Sequence, residues 1–387
     1  MKNQFPINPG MFAGFIAGVI LCAATLQAQT GSVEHGNSAD YRIETIADGL
    51  NHPWSLAFLP DGRMLVTERA GNLHMIQNDE LLASPVSGVP QAFASSQGGM
   101  LEVLVDPDFS DNNLIYLSYA HGDRDANATR IVRARLQEQS LADVEVLFTA
   151  SPMKDTPVHY GGRMAWLGDG TLAIGLGDGF DYREQAQRLD NHFGKIVRIH
   201  RDGSIPADNP FVGQVDALDD IYSYGHRNIQ GLVFDPATNT LWQHEHGPRG
   251  GDEVNRIRAG ENYGWPVATQ GIDYSGAIIS PYESRPGMID PEHVWTPSIA
   301  PSGMTLYRGA HFPQWDGDLL VTALVDRHVR RLDLENGQIV DEEILFAEIN
   351  QRLRDIRTDP DGALYILTDA NPGQILKITS ASNTNDP

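Results

Sequence analysis

The chain has 387 residues, and its 41% hydrophobic and 20% charged residues are typical of a globular protein with one large or two ordinary domains. Its formal net charge is −23 at pH 7. Such an excess of acids argues against a nucleic-acid partner, which requires a basic surface, and against binding to an anionic membrane. The charge says nothing about the fold.

The N-terminal residues 1–28 have the organisation of a cleaved export signal. Lys2 precedes the apolar run MFAGFIAGVILCAATLQA, which ends on the small residue Ala28. A membrane anchor and a lipidated Cys22 are the alternatives. Cleavage after Ala28 removes the single cysteine of the chain, which leaves no disulfide and no catalytic thiol. We therefore predict a periplasmic or secreted protein.

After the signal, the sequence repeats one unit: a short apolar strand, a turn rich in Asp, Gly, Asn and Pro, and a second apolar strand. β-Branched and aromatic residues around such a turn are typical of a β-hairpin. The average spacing of roughly 60 residues is longer than that of common blade repeats, which leaves length for loops. The copies are SLAFLPDGRMLVTER (55–69), LEVLVDPDFSDNNLIYLSYA (101–120), MAWLGDGTLAIGLGD (164–178), GLVFDPATNTLWQHEHG (231–247), HFPQWDGDLLVTALVD (311–326) and DIRTDPDGALYILTD (355–369).

Six copies of one hairpin predict an all-β fold, a six-bladed β-propeller with four-stranded antiparallel blades. No segment has a sustained 3.6-residue apolar period, so no major helix is expected. The N-terminal strand YRIETIA (41–47) is expected to pair with QILKIT (374–379), which closes the ring and removes its free edges. We predict one propeller domain over 41–380, with a flexible segment at 29–40 and a tail at 381–387.

One short segment, HEHGPRGGDE (244–253), has the composition of a metal site. The H-E-x-x-H spacing that places two histidines on one helical face is absent. On a strand, His244 and His246 share a face, which permits metal binding but is more often structural. The chain has no G-x-S-x-G motif, Walker loop or cysteine pair, and GLGDG (175–179) is interpreted as a turn.

Several stretches together carry a resemblance to a known family. They resemble the soluble aldose sugar dehydrogenases that use pyrroloquinoline quinone (PQQ), within the soluble glucose dehydrogenase family. The resemblance covers about residues 40–380 in the same order, and it implies a six-bladed propeller. The stretches are PWSLAFLPDGRMLVTERAG (53–71), HYGGRMAW (159–166), YGHRNIQGL (224–232), HEHGPRGGDEVN (244–255), ENYGWP (261–266) and QRLRDIRTDPDG (351–362).

The resemblance implies an enzyme that oxidises the C1 hydroxyl of an aldose to the lactone and passes electrons to a quinone or redox protein. His159 corresponds to the family's general base, and histidine suits this role because its pKa is close to working pH. Arg227 corresponds to the cation that stabilises charge developing on the quinone oxygen, with Asn228 as a hydrogen-bonding partner. Without the resemblance, an ordinary loop is the better explanation for each of these residues.

The resemblance also implies how the cofactor is bound. PQQ is a tricarboxylate, so an acidic protein needs a local cationic patch to hold it. Arg352 and Arg354 correspond to the family's paired arginines, and guanidinium groups suit carboxylates. Gln97 corresponds to a glutamine that contacts substrate or cofactor, and Tyr274 is expected to line the cofactor face.

The metal implied by the resemblance is Ca²⁺, a hard cation that prefers oxygen ligands. The carbonyls of Gly247 and Pro248 are expected to hold a calcium that also binds the cofactor. Glu253 and the carbonyl of Tyr263 are expected to hold a second, structural calcium. The two histidines of the segment then become supporting residues that end a strand and orient the turn.

The chain departs from the family at two positions. Val158 replaces an aspartate of the glucose dehydrogenases, which affects the expected range of sugars. Val325 replaces a lysine that touches the cofactor, and Arg327 is a candidate to substitute for it. Two other functions stay open: a calcium-dependent sugar lactonase on a similar scaffold, and a non-enzymatic sugar-binding propeller. The sequence is compatible with a monomer or a homodimer.

Overall fold

The structure, a computed structural model, describes residues 40–381, which all belong to one compact unit. The predicted export signal at 1–28, the segment at 29–39 and the tail from 382 onward lie outside the described residues and stay predictions. Within the described part of the chain, no helix has the length and apolar character needed to cross a membrane.

Residues 40–381 form six sheets, each with four antiparallel strands, which confirms the predicted six-bladed propeller. The first strands of successive blades contact one another in a closed ring, so they surround the axis. Strand β1 (Tyr41–Leu50) begins the described chain, and the other strands follow blade by blade.

The blades consist of consecutive strands. The first blade contains β2 (Pro53–Phe58), β3 (Met64–Glu68), β4 (Leu73–Gln77) and β5 (Glu80–Leu81). The second contains β6 (Met100–Val105), β7 (Leu114–Gly122), β8 (Asn127–Gln137) and β9 (Ser140–Thr149). The third contains β10 (Gly161–Trp166), β11 (Leu172–Leu176), β12 (Lys195–Ile199) and β13 (Ile221–Tyr224).

The remaining blades follow the same order. The fourth contains β14 (Ile229–Asp235), β15 (Thr240–Glu245), β16 (Asp252–Ile257) and β17 (His293–Trp295). The fifth contains β18 (Pro301–Leu306), β19 (Leu319–Ala323), β20 (Val329–Glu335) and β21 (Gln338–Leu345). The sixth contains β22 (Leu353–Thr358), β23 (Leu364–Thr368) and β24 (Gly373–Ser380), together with β1.

The ring closes as the sequence predicts. Strand β1 pairs antiparallel with β24, from Tyr41 opposite Ser380 to Leu50 opposite Gly373. The last blade is therefore built from both ends of the described chain. This pairing completes the four-stranded sheet of the last blade with the strand that precedes the first blade, and so ties the two ends of the described chain together.

Helical structure in residues 40–381 is limited to α1 (Phe109–Asn112) and three 3₁₀ turns, Arg183–Gln187, Pro313–Trp315 and Ala347–Ile349. The second of these turns corrects one prediction. The segment from 311 to 315 was assigned as the first strand of the fifth hairpin, and this is wrong, because β18 takes that place. Trp315 is instead fully buried and stacks on Phe312 with ring centroids 4.3 Å apart.

A buried ion network fills the axis of the propeller. Arg163 on β10 lies 3.0 Å from the Asp355 carboxylate of β22, and it donates hydrogen bonds to the carbonyls of Gln230 and Ser302, both at 2.8 Å. Glu102 on β6 lies 3.6 Å from the same guanidinium. One arginine thus connects the inner strands of five blades, and its charge is balanced by buried carboxylates.

Candidate active site

His159 lies in the loop between β9 and β10, in the left-handed conformation with φ +52°. Its backbone N–H donates to the Gln97 side-chain oxygen at 2.8 Å, which fixes the loop against the second blade. The imidazole is buried and lines a cavity of about 310 Å³. Arg227, Pro248 and Tyr274 line the same cavity, so the structure brings these predicted residues together.

Asp178, which sequence reasoning missed, holds the imidazole. Its Oδ1 lies 2.7 Å from His159 Nδ1, and its two oxygens also accept hydrogen bonds from the Phe180 N–H and the Trp265 indole, both at 2.8 Å. A carboxylate only accepts, so His159 carries its proton on Nδ1 and keeps Nε2 as the basic nitrogen. Asp178 belongs to the GLGDG segment that was interpreted as a turn, and its acid between glycines after a strand was the available signal.

The electrostatics of this pair favour a neutral imidazole. Burial lowers the pKa of His159 below its usual range, although the Asp178 carboxylate opposes the shift, and Arg227 and Lys154 reinforce it. Burial would raise the pKa of Asp178, but the contact with His159 lowers it instead, so the carboxyl stays ionised. The structure therefore holds a neutral histidine, protonated on Nδ1 alone, beside the negative charge of Asp178.

Arg227 places a buried guanidinium opposite the histidine. Its Nη1 donates to the carbonyls of His246 and Gly247 at 2.9 and 2.7 Å. The group also lies over the ring of Trp265, 5.3 Å from the centroid, and that of Tyr274, at 5.9 Å. These contacts fix a positive charge at the wall of the cavity, with neither Asp nor Glu in direct contact with its side chain among the described residues.

A second cavity of about 140 Å³ lies next to the first, around Tyr160 and Gly161. It collects the predicted cofactor-binding residues Gln97, Asn228, Arg352 and Arg354. It also contains Arg69, Trp54 and His246, which were not predicted as cofactor ligands. The predicted residues thus converge from three blades, the second, the fourth and the sixth, with Tyr274 and Arg227 in the adjoining cavity.

The arginine pair shares one counterion. Arg352 Nη2 lies 2.8 Å and Arg354 Nη2 3.4 Å from the same oxygen of Asp369. Arg354 is buried, and its Nε has no hydrogen-bond partner. Burial lowers the pKa of Arg354 and Asp369 opposes this. The unsatisfied donor in a cationic cavity shows that the residues present suit an anionic ligand.

The turn after β15 is held by a buried acid. Asp252 accepts hydrogen bonds from the Gly247 N–H at 2.8 Å and from the backbone N–H groups of Ile299 and Ala300 at 2.8 and 2.9 Å. A Cβ at Gly247 would lie 2.2 Å from the carbonyl oxygen of Gly251, so only glycine fits. The absence of a side chain therefore permits this tight turn, in which the Gly247 carbonyl accepts a hydrogen bond from Arg227 at 2.7 Å.

The two histidines of the segment differ. His244 lies on β15, fully buried, with both ring nitrogens lacking a hydrogen-bond partner. His246 follows the strand, lines the second cavity and forms a 2.7 Å hydrogen bond through Nε2 with the Pro301 carbonyl. Burial, Arg227 and other neighbours lower the pKa of His246 to about 3, so it is neutral. His244 thus packs inside the fourth blade and His246 contacts the fifth, and their supporting role for the turn stays a prediction.

Glu253 and Tyr263 line neither cavity. Glu253 on β16 is buried beside the Glu245 carboxylate, and burial with this like charge raises its pKa well above the usual range. Asn255, whose side-chain nitrogen lies 3.3 Å from Glu253, leaves its own amide oxygen without a partner. Tyr263 stacks on His226, whose Nδ1 lies 3.1 Å from Glu245. Buried oxygen atoms of Glu253, Glu245 and Asn255 therefore lie close together, and within residues 40–381 neither glutamate forms an ion pair with Lys or Arg.

Residues 40–381 contain no group of three or more His, Cys, Asp or Glu side chains able to hold a metal. The predicted calcium sites do not require such a group, because they rely on carbonyls and a single acid. Val325 and Arg327 are exposed and line neither cavity. The structure therefore does not support Arg327 as the substitute for the family lysine.

This fold and this site match one family. The sequence model described as Glucose / Sorbosone dehydrogenase matches residues 50–377. The chain belongs to this family of propeller oxidoreductases, and the resemblance predicted from the sequence is confirmed.

Several individual relatives are sugar dehydrogenases by name. Aldose sugar dehydrogenase YliI of Escherichia coli is 42% identical over 347 residues, covering 88% of this chain and 93% of that protein. The apo-form crystal structure of the soluble E. coli aldose sugar dehydrogenase has a TM-score of 0.85 and covers 88% of this chain and 99% of its own.

More distant relatives include proteins with the quinone in their names. The PQQ-bound aldose sugar dehydrogenase of Streptomyces coelicolor has a TM-score of 0.73 at 28% identity, covering 88% of this chain and 98% of its own. Quinoprotein glucose dehydrogenase B of Acinetobacter calcoaceticus is 28% identical over 443 residues, covering 88% of this chain and 91% of that protein.

Proposed function

We propose that this protein is a PQQ-dependent aldose sugar dehydrogenase that oxidises the C1 hydroxyl of aldoses to the lactone. The observation that carries the proposal is the buried His159–Asp178 pair, which lines one cavity of about 310 Å³ together with Arg227. The arginine-lined second cavity lies directly beside it. The names of the family relatives support the same reaction class.

His159 is the general base of the proposed reaction. Its Nε2 takes the proton of the sugar C1 hydroxyl, and Asp178 holds the ring in the required tautomer through Nδ1. Asp178 also stabilises the imidazolium that forms, because its carboxyl stays ionised. The neutral resting state favoured by burial keeps the base ready to accept a proton at neutral pH.

Residues of both cavities would hold the cofactor. Arg352 and Arg354 offer guanidinium groups to its carboxylates, while Gln97, Asn228 and Tyr274 line the remaining walls. When bound, PQQ supplies the quinone that accepts the hydride from sugar C1. Arg227 then offers a fixed positive charge where negative charge develops, in a site shielded from water.

Calcium belongs to the same proposal. The carbonyls of Gly247 and Pro248 would hold one ion, and a carbonyl that accepts from Arg227 still has a second lone pair to offer. Glu253 and the Tyr263 carbonyl would hold a second ion. The crowding of buried oxygens around Glu253 is the observation that supports a cation there.

The cellular setting is proposed on the N-terminal sequence alone. Export to the periplasm or secretion follows from the signal-like residues 1–28, and a quinone or a redox protein is the expected electron acceptor. We propose a monomer or a homodimer, without a nucleic-acid partner. A lactonase would require a metal held by side-chain carboxylates, and the described residues offer no such group.

Reconstitution tests the proposal. Purified protein is loaded with PQQ and Ca²⁺, and reduction of a dye is followed across a panel of aldoses. We expect turnover by the wild-type protein, loss of turnover with His159→Ala, and no loss with the exposed control His200→Ala. Absence of dye reduction with every sugar, or equal rates for wild type and His159→Ala, contradicts the proposal. Proton release from a lactone without an acceptor would instead favour the lactonase.

A further inference from the structure

Arg69, at the end of β3 in the first blade, lines the second cavity together with Arg352 and Arg354. Among residues 40–381, its guanidinium has no ion-pair or hydrogen-bond partner. The adjacent Glu68 does not neutralise it, because that carboxylate accepts a hydrogen bond from the Asn51 N–H at 2.6 Å and is engaged by other neighbours. Arg69 is thus a charged group at a ligand cavity without a protein partner.

The backbone of Arg69 is fixed between two blades. Its N–H donates to the His52 carbonyl at 3.0 Å, and its carbonyl accepts from the Met100 N–H at 3.3 Å. Gly99 permits this close approach, since a Cβ there would lie 1.9 Å from the Arg69 oxygen. The side chain therefore extends from a rigid base, which reduces the entropy cost of binding a ligand.

The charges around this cavity do not balance. Three guanidinium groups, of Arg69, Arg352 and Arg354, face one nearby carboxylate, that of Asp369. Burial would raise the pKa of Asp369, but Arg354, Arg352 and Arg69 together lower it below the usual range. Asp369 hydrogen-bonds to the other two arginines and not to Arg69. The cavity therefore carries an excess positive charge of about two.

We infer that Arg69 is the third cation of the cofactor site and binds a carboxylate of PQQ that Arg352 and Arg354 leave unmatched. The inference rests on the proposed function for the identity of the ligand. In the fifth blade, Val325 stands where the family has a lysine that touches the cofactor, and neither Val325 nor Arg327 lines a cavity. Arg69 of the first blade would supply the positive charge that the fifth blade lacks. A tricarboxylate then meets three guanidinium groups, which come from the neighbouring first and sixth blades.

Equilibrium binding tests the inference without relying on turnover. PQQ is titrated into the calcium-containing protein, and quenching of tryptophan fluorescence is followed, since Trp54 lines the cavity. A lost charge-assisted hydrogen bond weakens binding by about 10- to 100-fold. We expect this increase in Kd for Arg69→Gln and Arg69→Met, and a smaller one for Arg69→Lys. The matched control Arg327→Gln should leave the Kd unchanged.

The outcomes separate the inference from the function. Because Arg69 has no described partner, its variants should keep the wild-type melting temperature, and Arg69→Met retains the aliphatic stem. A wild-type Kd for both Arg69→Gln and Arg69→Met, or a loss with Arg327→Gln instead, overturns the inference while the function stands.

Failure of the wild-type protein to bind PQQ refutes the proposed function. In that case a second tricarboxylate, benzene-1,3,5-tricarboxylate, tests the role of Arg69. Its binding is measured as the increase in melting temperature of the wild-type protein and of the same variants. A shift that requires Arg69 supports the inference. Equal shifts for wild type and Arg69→Gln, or no shift for either, overturn it.

Discussion

Replacing Asp178 with asparagine removes the negative charge that lies 2.7 Å from His159 Nδ1. Three N–H groups, of the His159 ring, the Phe180 backbone and the Trp265 indole, donate to Asp178, and an asparagine amide cannot accept from all three. If its oxygen faces His159 and the Phe180 N–H, its NH₂ meets the Trp265 indole N–H, which now donates at 2.8 Å. If the amide is reversed, its NH₂ faces His159 and favours the tautomer with the proton on Nε2. Either arrangement opposes donor to donor in a buried site.

The expected loss in kcat is about 10²- to 10⁴-fold, the contribution of a positioned general base. At 1.36 kcal/mol per tenfold, this corresponds to about 3–5 kcal/mol of transition-state stabilisation. The buried donor conflict should also lower the free energy of unfolding by about 1–3 kcal/mol. The Kd of PQQ should change little, because Asp178 is not among the residues proposed to hold the cofactor.

The assay is steady-state dye reduction with the PQQ- and calcium-loaded protein, with kcat and KM determined separately. Thermal unfolding confirms that the variant is folded. The control is Asp125→Asn, an exposed acid outside both cavities. A kcat for Asp178→Asn within about threefold of the wild-type value would refute the role of this carboxylate, given the range expected for a general base.

Three further predictions concern pH, substrate and stability. Burial lowers the pKa of His159 below 6.5, so the base loses its activity by protonation, and kcat falls, only as the pH drops below that value. A decrease of kcat that begins above pH 6.5 contradicts this. Phe180 stacks on Tyr274 at the cavity, with ring centroids 6.4 Å apart, and we expect the two rings to contact the sugar. Phe180→Ala should therefore raise the KM for the sugar more than it lowers kcat. An unchanged KM would contradict this role of the rings. Asp252→Ala leaves the buried N–H groups of Gly247 and Ile299 without an acceptor. The free energy of unfolding should fall by about 1–3 kcal/mol per unsatisfied group, measured by denaturant titration.

Much of the fold was predictable because hairpin signals are local. A D-G or N-type turn between apolar strands specifies a hairpin within about fifteen residues, and counting such units gave the number of blades. The failure in the fifth blade has a local cause as well. The first strand of this blade, β18, begins with Pro-Ser-Gly, residues that are uncommon in strands. The aromatic residues near 312 have the composition of a strand, although they form a 3₁₀ turn.

The site was only partly predictable. The family resemblance placed His159, Arg227 and the pair of Arg352 and Arg354, and the structure gathers them around two adjoining cavities. The assignment of calcium to the turn at 247 and to Glu253 stays a prediction. Val325 was recognised as a departure, but the proposed substitute Arg327 proved to lie outside the site.

The sequence by itself determined the elements, because strand pattern and turn chemistry act between neighbouring residues. Tertiary structure alone decided which side chains meet. Asp178 reaches His159 because β11 pairs antiparallel with β10, which brings the residue after β11 to the loop before β10. The glycines around Asp178 were a local signal for the acid, but they did not identify its partner. Arg69 joins Arg352 because closure of the ring brings the first blade beside the sixth. Which charge pairs with which, and which arginine is left for a ligand, depends on distances that exist only after the propeller closes.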